Sequence, residues 1–279
     1  MSRIPYFWKL IFPSLASGQC PRTALLFTSL LALSLPCVAA EIAYQGFQSP
    51  VGIASIPGKA VYISDWSANT VTRIDKDGAR VVVAKGIPAA AGIAFDRQGV
   101  LFIASYSADY IVRLDPDGSL HRVVENLSTP TGIAFSGDGR LLVANRGAGQ
   151  VVSVDVSTGR VALVANGFSL PVGVVEMADG SIVVSQYGGY VTRVMPDGRR
   201  QELGAAFDRP GVGIAADGVN AVLAVDNGAS IIRRVTFDGT APVVSKKLSG
   251  SAVALGKGME NEWLVGTWGT GSIYRLPPQ

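Results

Sequence analysis

Cysteine, histidine and early acidic residues are what this chain of 279 residues has least of. Both cysteines, Cys20 and Cys37, fall within the first forty residues, and His121 is the one histidine. From Glu41 onward the chain therefore has no disulfide, no thiolate nucleophile and no cysteine-based metal site. A lone histidine also removes the histidine couples on which most acid–base and nucleophilic catalysis is built. Excess charge is missing too. Arg3, Lys9 and Arg22 carry the surplus of 24 basic over 21 acidic residues, so the chain after Ala40 is balanced at 21 of each. A balanced segment with no basic cluster excludes nucleic acid as a partner, because that affinity comes largely from neutralising phosphates.

No acidic residue precedes Glu41, and this segment has an order of its own. Three scattered basic residues are followed by the apolar run Ala24–Leu35 and then the small-residue stretch Pro36–Ala40. That is the layout of a secretory signal, with Val38 and Ala40 at the −3 and −1 positions and cleavage expected before Glu41. Twelve helical residues span only about 18 Å, short of a ~30 Å hydrocarbon core, so no stable membrane span is expected after cleavage. The reading is a signal over 1–40 and a secreted or periplasmic domain over 41–279.

That domain repeats itself. Gly52-Ile53-Ala54 recurs as Gly92-Ile93-Ala94, Gly132-Ile133-Ala134, Gly173-Val174-Val175 and Gly213-Ile214-Ala215, with Ala252-Val253-Ala254 as a degraded sixth copy. The steps are 40, 40, 41, 40 and 39 residues, a period that signals propellers or solenoids. Within each copy apolar residues alternate with period two, and short runs are separated by turns such as Lys76-Asp77-Gly78 and Pro196-Asp197-Gly198. These are consecutive hairpins, and no stretch holds a helical period. Each copy reads as a four-stranded antiparallel meander that cannot bury both faces alone. Six stacked in a ring give an all-β, six-bladed β-propeller.

The sixth copy ends after one strand fewer than the others. At the other end, the residues Ile42–Phe47 resemble Leu163–Phe168, where copy three closes. The N-terminal strand is thus expected to complete blade six and close the ring, and this register begins beside the expected cleavage site.

The phrase Ser49-Pro50-Val51-Gly52-Ile53-Ala54, followed by Lys59–Gly78, resembles the NHL repeat. It is also similar to six-bladed propellers of the gluconolactonase and senescence-marker-protein-30 class and of the streptogramin lyases. The resemblance covers essentially all of residues 41–279 and implies the architecture; activity depends on the site. Members of the gluconolactonase class hold a central divalent metal with oxygen ligands standing before the inner-strand glycine. Those positions here are Val51, Ala91, Thr131, Val172, Val212 and Ser251, and none is a carboxylate or an amide. The resemblance to the lyases implies histidine and glutamate near the axis, whereas His121 belongs to an outer strand. No cofactor is expected, and a divalent metal at another place is left open.

Loops at one end of a propeller carry its function. Reading the second-strand exits in register gives Asp65-Trp66, Ser105-Tyr106, Asn145-Arg146, Gln186-Tyr187, Asp226-Asn227 and Thr267-Trp268. The first member is polar in every blade and the second is aromatic in four. A polar ring with aromatic walls could hold a flat small molecule or anchor a protein partner on this top face. It could equally hold its own loops, since turn Asp and Asn bond nearby amides. Asp65 and Asp226 are the weak catalytic candidates under the alternative reading, a lactone or ester hydrolase with a rearranged site. The pairs Arg199-Arg200, Arg233-Arg234 and Lys246-Lys247 read as solvated edges.

Overall fold

The computed structural model describes residues 40–204 and 206–277; the signal reading of 1–40 lies, apart from Ala40, outside the described residues. The first strand, β1 (Glu41–Tyr44), precedes blade one, which is β2 (Pro50–Ile56), β3 (Ala60–Asp65), β4 (Thr70–Asp75) and β5 (Arg80–Lys85), hydrogen-bonded in that order. Blades two, three and four repeat this meander as β6–β9 over 90–124, β10–β13 over 130–165 and β14–β17 over 171–203. Blade five is β18 (Pro210–Ala216), β19 (Ala221–Asp226) and β20 (Ile231–Thr236). Blade six is β21 (Ser251–Lys257), β22 (Trp263–Trp268) and β23 (Ser272–Arg275), with β1 as its outermost strand. The inner strands β2, β6, β10, β14, β18 and β21 touch one another in sequence, and β21 touches β2. The fold is a closed six-bladed propeller.

Closure follows the resemblance between the two ends of the phrase. Glu41 pairs with Arg275, Ile42 with Tyr274 and Tyr44 with Ile273, and the Phe47 N–H donates to the Gly271 carbonyl at 3.2 Å. Arg80 of blade one lies 5.6 Å from the Phe47 ring centre and donates to the Gln45 carbonyl. Arg200 of blade four does the same for blade three, 4.8 Å from the Phe168 ring and donating to the Asn166 carbonyl. Arg200 is thus a clasp between blades and not only part of a solvated edge.

Between blades the faces meet in dry layers. Ile53, Val61, Ile63 and Ile74 of blade one pack against Ala254, Leu264 and Ile273 of blade six, with Ala43 and Phe47 at the margin. Each such fully buried aliphatic side chain contributes about 1.5–3 kcal/mol. The inner-strand glycine is required by how closely these layers approach. A Cβ on Gly132 would sit 2.6 Å from the Val172 carbonyl oxygen, and one on Gly173 would sit 2.3 Å from that of Val212. Blade six solves the same problem by exchange. Ala254 stands where the others have glycine, and its partner Gly266 replaces the serine that Gly52 meets in Ser64.

That exchange corrects the sixth repeat. Ala252 pairs with Thr267 as Pro50 pairs with Asp65, so Ala252-Val253-Ala254 corresponds to Pro50-Val51-Gly52 and not to Gly52-Ile53-Ala54. The Ile53 position is Leu255, which lies 41 residues after Ile214. The axial residue of blade six is consequently Val253, and Ser251 sits two residues further back.

Blade five also departs from the four-stranded pattern. In place of a strand ladder, its outer segment joins β20 by a single bridge pair, Arg233 with Val243. Pro242 has no N–H to offer a ladder. The Ile232 N–H is taken at 2.8 Å by the Ser245 hydroxyl, where a regular strand would present a carbonyl.

Candidate functional site

Each second strand ends at the same end of the ring, and a buried polar residue closes it, or in blade six precedes its last residue Trp268: Asp65, Ser105, Asn145, Gln186, Asp226 and Thr267. In five of them the polar atoms turn to the loop arriving at the inner strand, whereas the Thr267 hydroxyl stays in its own hairpin, on Thr270 and the Ser272 carbonyl. Asp65 accepts from the Gln48 and Ser49 amides at 2.7 and 2.9 Å, and Asn145 accepts from the Ser128 amide at 2.6 Å. Gln186 accepts from the Ser169 amide at 2.7 Å, and the Ser105 hydroxyl donates to the Pro88 carbonyl at 2.8 Å. Asp226 accepts from the Arg209 amide at 3.1 Å and from Arg233 Nε at 2.9 Å. Loops that would otherwise leave buried amides unpaired are held this way. Arg233 is only 15% exposed in this pair, so the solvated-edge reading of Arg233 is corrected to a buried ion pair.

The residues one step further on come together. Trp66, Tyr106, Arg146, Tyr187, Asn227 and Trp268 line one cavity of about 170 Å³ at the axis, above a floor that includes Thr131, Val172, Val212 and Val253. A bulge explains how the floor forms. In every blade the inner-strand register slips near the start of the strand, as between Pro50 and Gly52, Pro171 and Gly173 or Ala252 and Ala254, and bulges re-aim the side chain at that point. Along the wall the Trp66 ring lies 4.6 Å from Tyr106 and meets Trp268 edge-on at 5.1 Å. These are favourable aromatic pairings, each contributing about 0.5–1.5 kcal/mol beyond burial.

Positive charge sits in this wall. Arg146 opens a short 3-10 turn, Arg146–Ala148, and donates to the Tyr106 hydroxyl at 2.9 Å. Its guanidinium lies 5.8 Å from the Tyr106 ring centre and 5.6 Å from that of Tyr187. Arg209, on the loop before β18, approaches Tyr187 from the other side at 5.0 Å and donates to its hydroxyl at 3.2 Å. Neither arginine has a carboxylate within ion-pair distance among the described residues. The Trp268 indole N–H is buried with no acceptor among the described residues. Asn227 Nδ2 is engaged by the Ser251 hydroxyl and the Ala252 carbonyl at 2.9 and 2.8 Å.

Sequence reasoning brought all six second members to this place but missed Arg209. Its only signal was its position just before Pro210, in the loop the register assigns to the same end. The residues facing a central cation are Val51, Ala91, Thr131, Val172, Val212 and Val253. That ring offers one oxygen, and the Thr131 hydroxyl already donates to the Thr129 carbonyl at 3.1 Å. This donor set does not fit a hard divalent ion, and no cluster of three or more His, Cys, Asp or Glu suited to a metal occurs among the described residues. His121 lies outside the site, exposed on an outer strand and 3.0 Å from Asp115.

No protein-family model and no curated protein matches the chain in sequence. Solved structures do match. A gluconolactonase of Xanthomonas campestris superposes with a TM-score of 0.73 at 17% identity, over 87% of this chain and 95% of its own. Regucalcin of Agrobacterium tumefaciens, described as a calcium-binding protein, gives 0.72 at 16%, over 85% and 93%. A catalytically inactive histidine-to-alanine variant of virginiamycin B lyase from Staphylococcus aureus, with quinupristin, gives 0.65 at 18%, over 86% and 85%. At these identities the likeness is one of fold: the chain is a six-bladed β-propeller of the architecture seen in gluconolactonase, regucalcin and virginiamycin B lyase.

Proposed function

We propose that the chain is an exported binding protein that holds a small organic ligand in the axial pocket of its loop-rich face. The observation that carries this reading is the convergence of Trp66, Tyr106, Arg146, Tyr187, Asn227 and Trp268, one residue from each blade, on a single cavity. Pockets of this make-up, apolar and aromatic with a few polar groups, are where small ligands bind. The size is informative. A dry protein cavity of about 150 Å³ accommodates benzene, so about 170 Å³ suits one ring. A protein partner reaching this face would have to insert a side chain of that size.

The hydrolase alternative would need Asp65 and Asp226 to reach a substrate. Both carboxylates instead take loop amides, and Asp226 also takes Arg233. The lyase structure in the comparison was made inactive by removing one histidine, and the one histidine of this chain is far from its pocket among outer-strand residues. Binding without chemistry is the function the geometry supports best.

The test is a panel of single-ring aromatic compounds against the purified protein, read by thermal melts and tryptophan emission. A ligand at a hundred times its Kd adds about 2.7 kcal/mol of stability, and Trp66 and Trp268 in the wall should report it optically. Tyr187→Ala should abolish the shift. A panel with no shift in either readout would overturn the reading. Export is checked by fractionating the producing cell: the protein should be found outside the cytoplasm and begin at Glu41.

A further inference from the structure

We propose that the ligand is a single-ring aromatic carboxylate, its ring between the aromatic walls and its anionic end on Arg146. This rests on the pocket reading above and adds the sign of the ligand's charge. An aromatic box by itself suggests a cation, as in recognition of quaternary ammonium groups. Here that role is already filled, because the Arg146 guanidinium faces the Tyr106 and Tyr187 rings and Arg209 covers Tyr187 from outside. A second cation would meet like charge in a lining that includes no acidic residue. Asp65 and Asp226, the nearest acidic residues in the register, are buried and bound to loop amides.

The hydrogen-bonding groups agree. The Tyr106 and Tyr187 hydroxyls each accept from an arginine, which leaves each O–H proton to be given away. The Trp268 indole can only donate and has no acceptor. A buried donor left unpaired is costly, so an acceptor brought by a ligand recovers that loss. One guanidinium with one bond committed to Tyr106 still presents a planar fork, the geometry that matches a carboxylate. Phosphate, a dianion that is met by several donors and charges at once, is served less well by a single half-buried arginine.

The experiment compares benzoate, benzamide and benzyltrimethylammonium by calorimetry on the purified protein. Benzoate is expected to bind at least about tenfold more tightly than benzamide, a difference of about 1.4 kcal/mol. Arg146→Met should erase that preference, bringing the benzoate-to-benzamide affinity ratio to about one, and Arg146→Lys should keep part of it. A variant-free arm raises salt from about 0.01 to about 1 M, which should weaken benzoate binding and leave benzamide unchanged. Equal binding of benzoate and benzamide, or a salt-independent preference, overturns the anion assignment while leaving the pocket reading standing. Preference for the ammonium compound does the same. Failure of all three to bind overturns both.

Discussion

Removing the carboxylate of Asp226 should unfold the protein sooner, not silence a reaction. Asp226→Asn leaves Arg233 charged in a nearly closed environment, and breaking such a pair by one partner costs about 3–5 kcal/mol. Urea denaturation should show this, with ligand binding at the pocket unaffected once the variant is folded. Gly132→Ala is the complementary case. Its new methyl would meet the Val172 carbonyl at 2.6 Å, and overpacking of that kind costs about 1–3 kcal/mol. Gly78→Ala, in a turn with open space around it but a φ of 85°, should be destabilising for backbone reasons alone. At this scale the sequence told which residues stand at equivalent positions but not which way they turn. Asp65 and Trp66 are neighbours in the chain, yet one is bound into a loop and the other lines the cavity. Arg209 escaped notice and Arg233 was read as a solvated edge, because their partners depend on side-chain direction: Asp226 lies across the β19–β20 hairpin from Arg233, and Tyr187 stands on the blade beside the Arg209 loop.

The hairpins carry a dependence on acid. In turn after turn an aspartate accepts from a hydroxyl and an amide two residues on, as Asp117 does from Ser119 and Asp155 from Ser157. Such bonds, with the hydroxyl two residues on in Asp117, Asp155 and Asp179 and two residues back in Asp138 and Asp238, hold these carboxyls below the usual aspartate range, chiefly through the Ser or Thr hydroxyl. A group whose folded pKa is depressed stabilises fully above its unfolded value, near 3.9, and loses that contribution as pH falls through the folded value. The denaturation midpoint should therefore be flat from about pH 7 to 5 and decline below about pH 4. Asp117→Asn with Asp155→Asn should flatten part of that decline. A midpoint that falls as steeply in the double variant would assign the acid sensitivity elsewhere. These turns were plain in the sequence because Asp-Gly hairpins are local. The two departures from the repeat were not. Blade five loses its outer strand through Pro242 and Ser245, and blade six shifts by two residues because its Ala-Val-Ala imitates Gly-Ile-Ala.

Across the molecule, the six-fold ring was legible because its repeat is long and its period regular. The pocket's chemistry was less so, because it depends on which six side chains a closed circle brings to its axis. Closure itself can be tested. Deleting residues 41–47 should bare the edge of β23, and an open edge recruits other chains, so light scattering should show association where the intact protein gives one species. The pairing of Glu41 with Arg275 also has a temporal side. The first strand made is the last to find its partner, since its neighbour in the sheet is synthesised some 230 residues later. Bringing such distant ends together costs about 5 kcal/mol in chain entropy, a cost met only when the final hairpin is present. Until then every shorter chain is an unfinished circle, its sixth blade lacking the hairpin on which the waiting strand must settle.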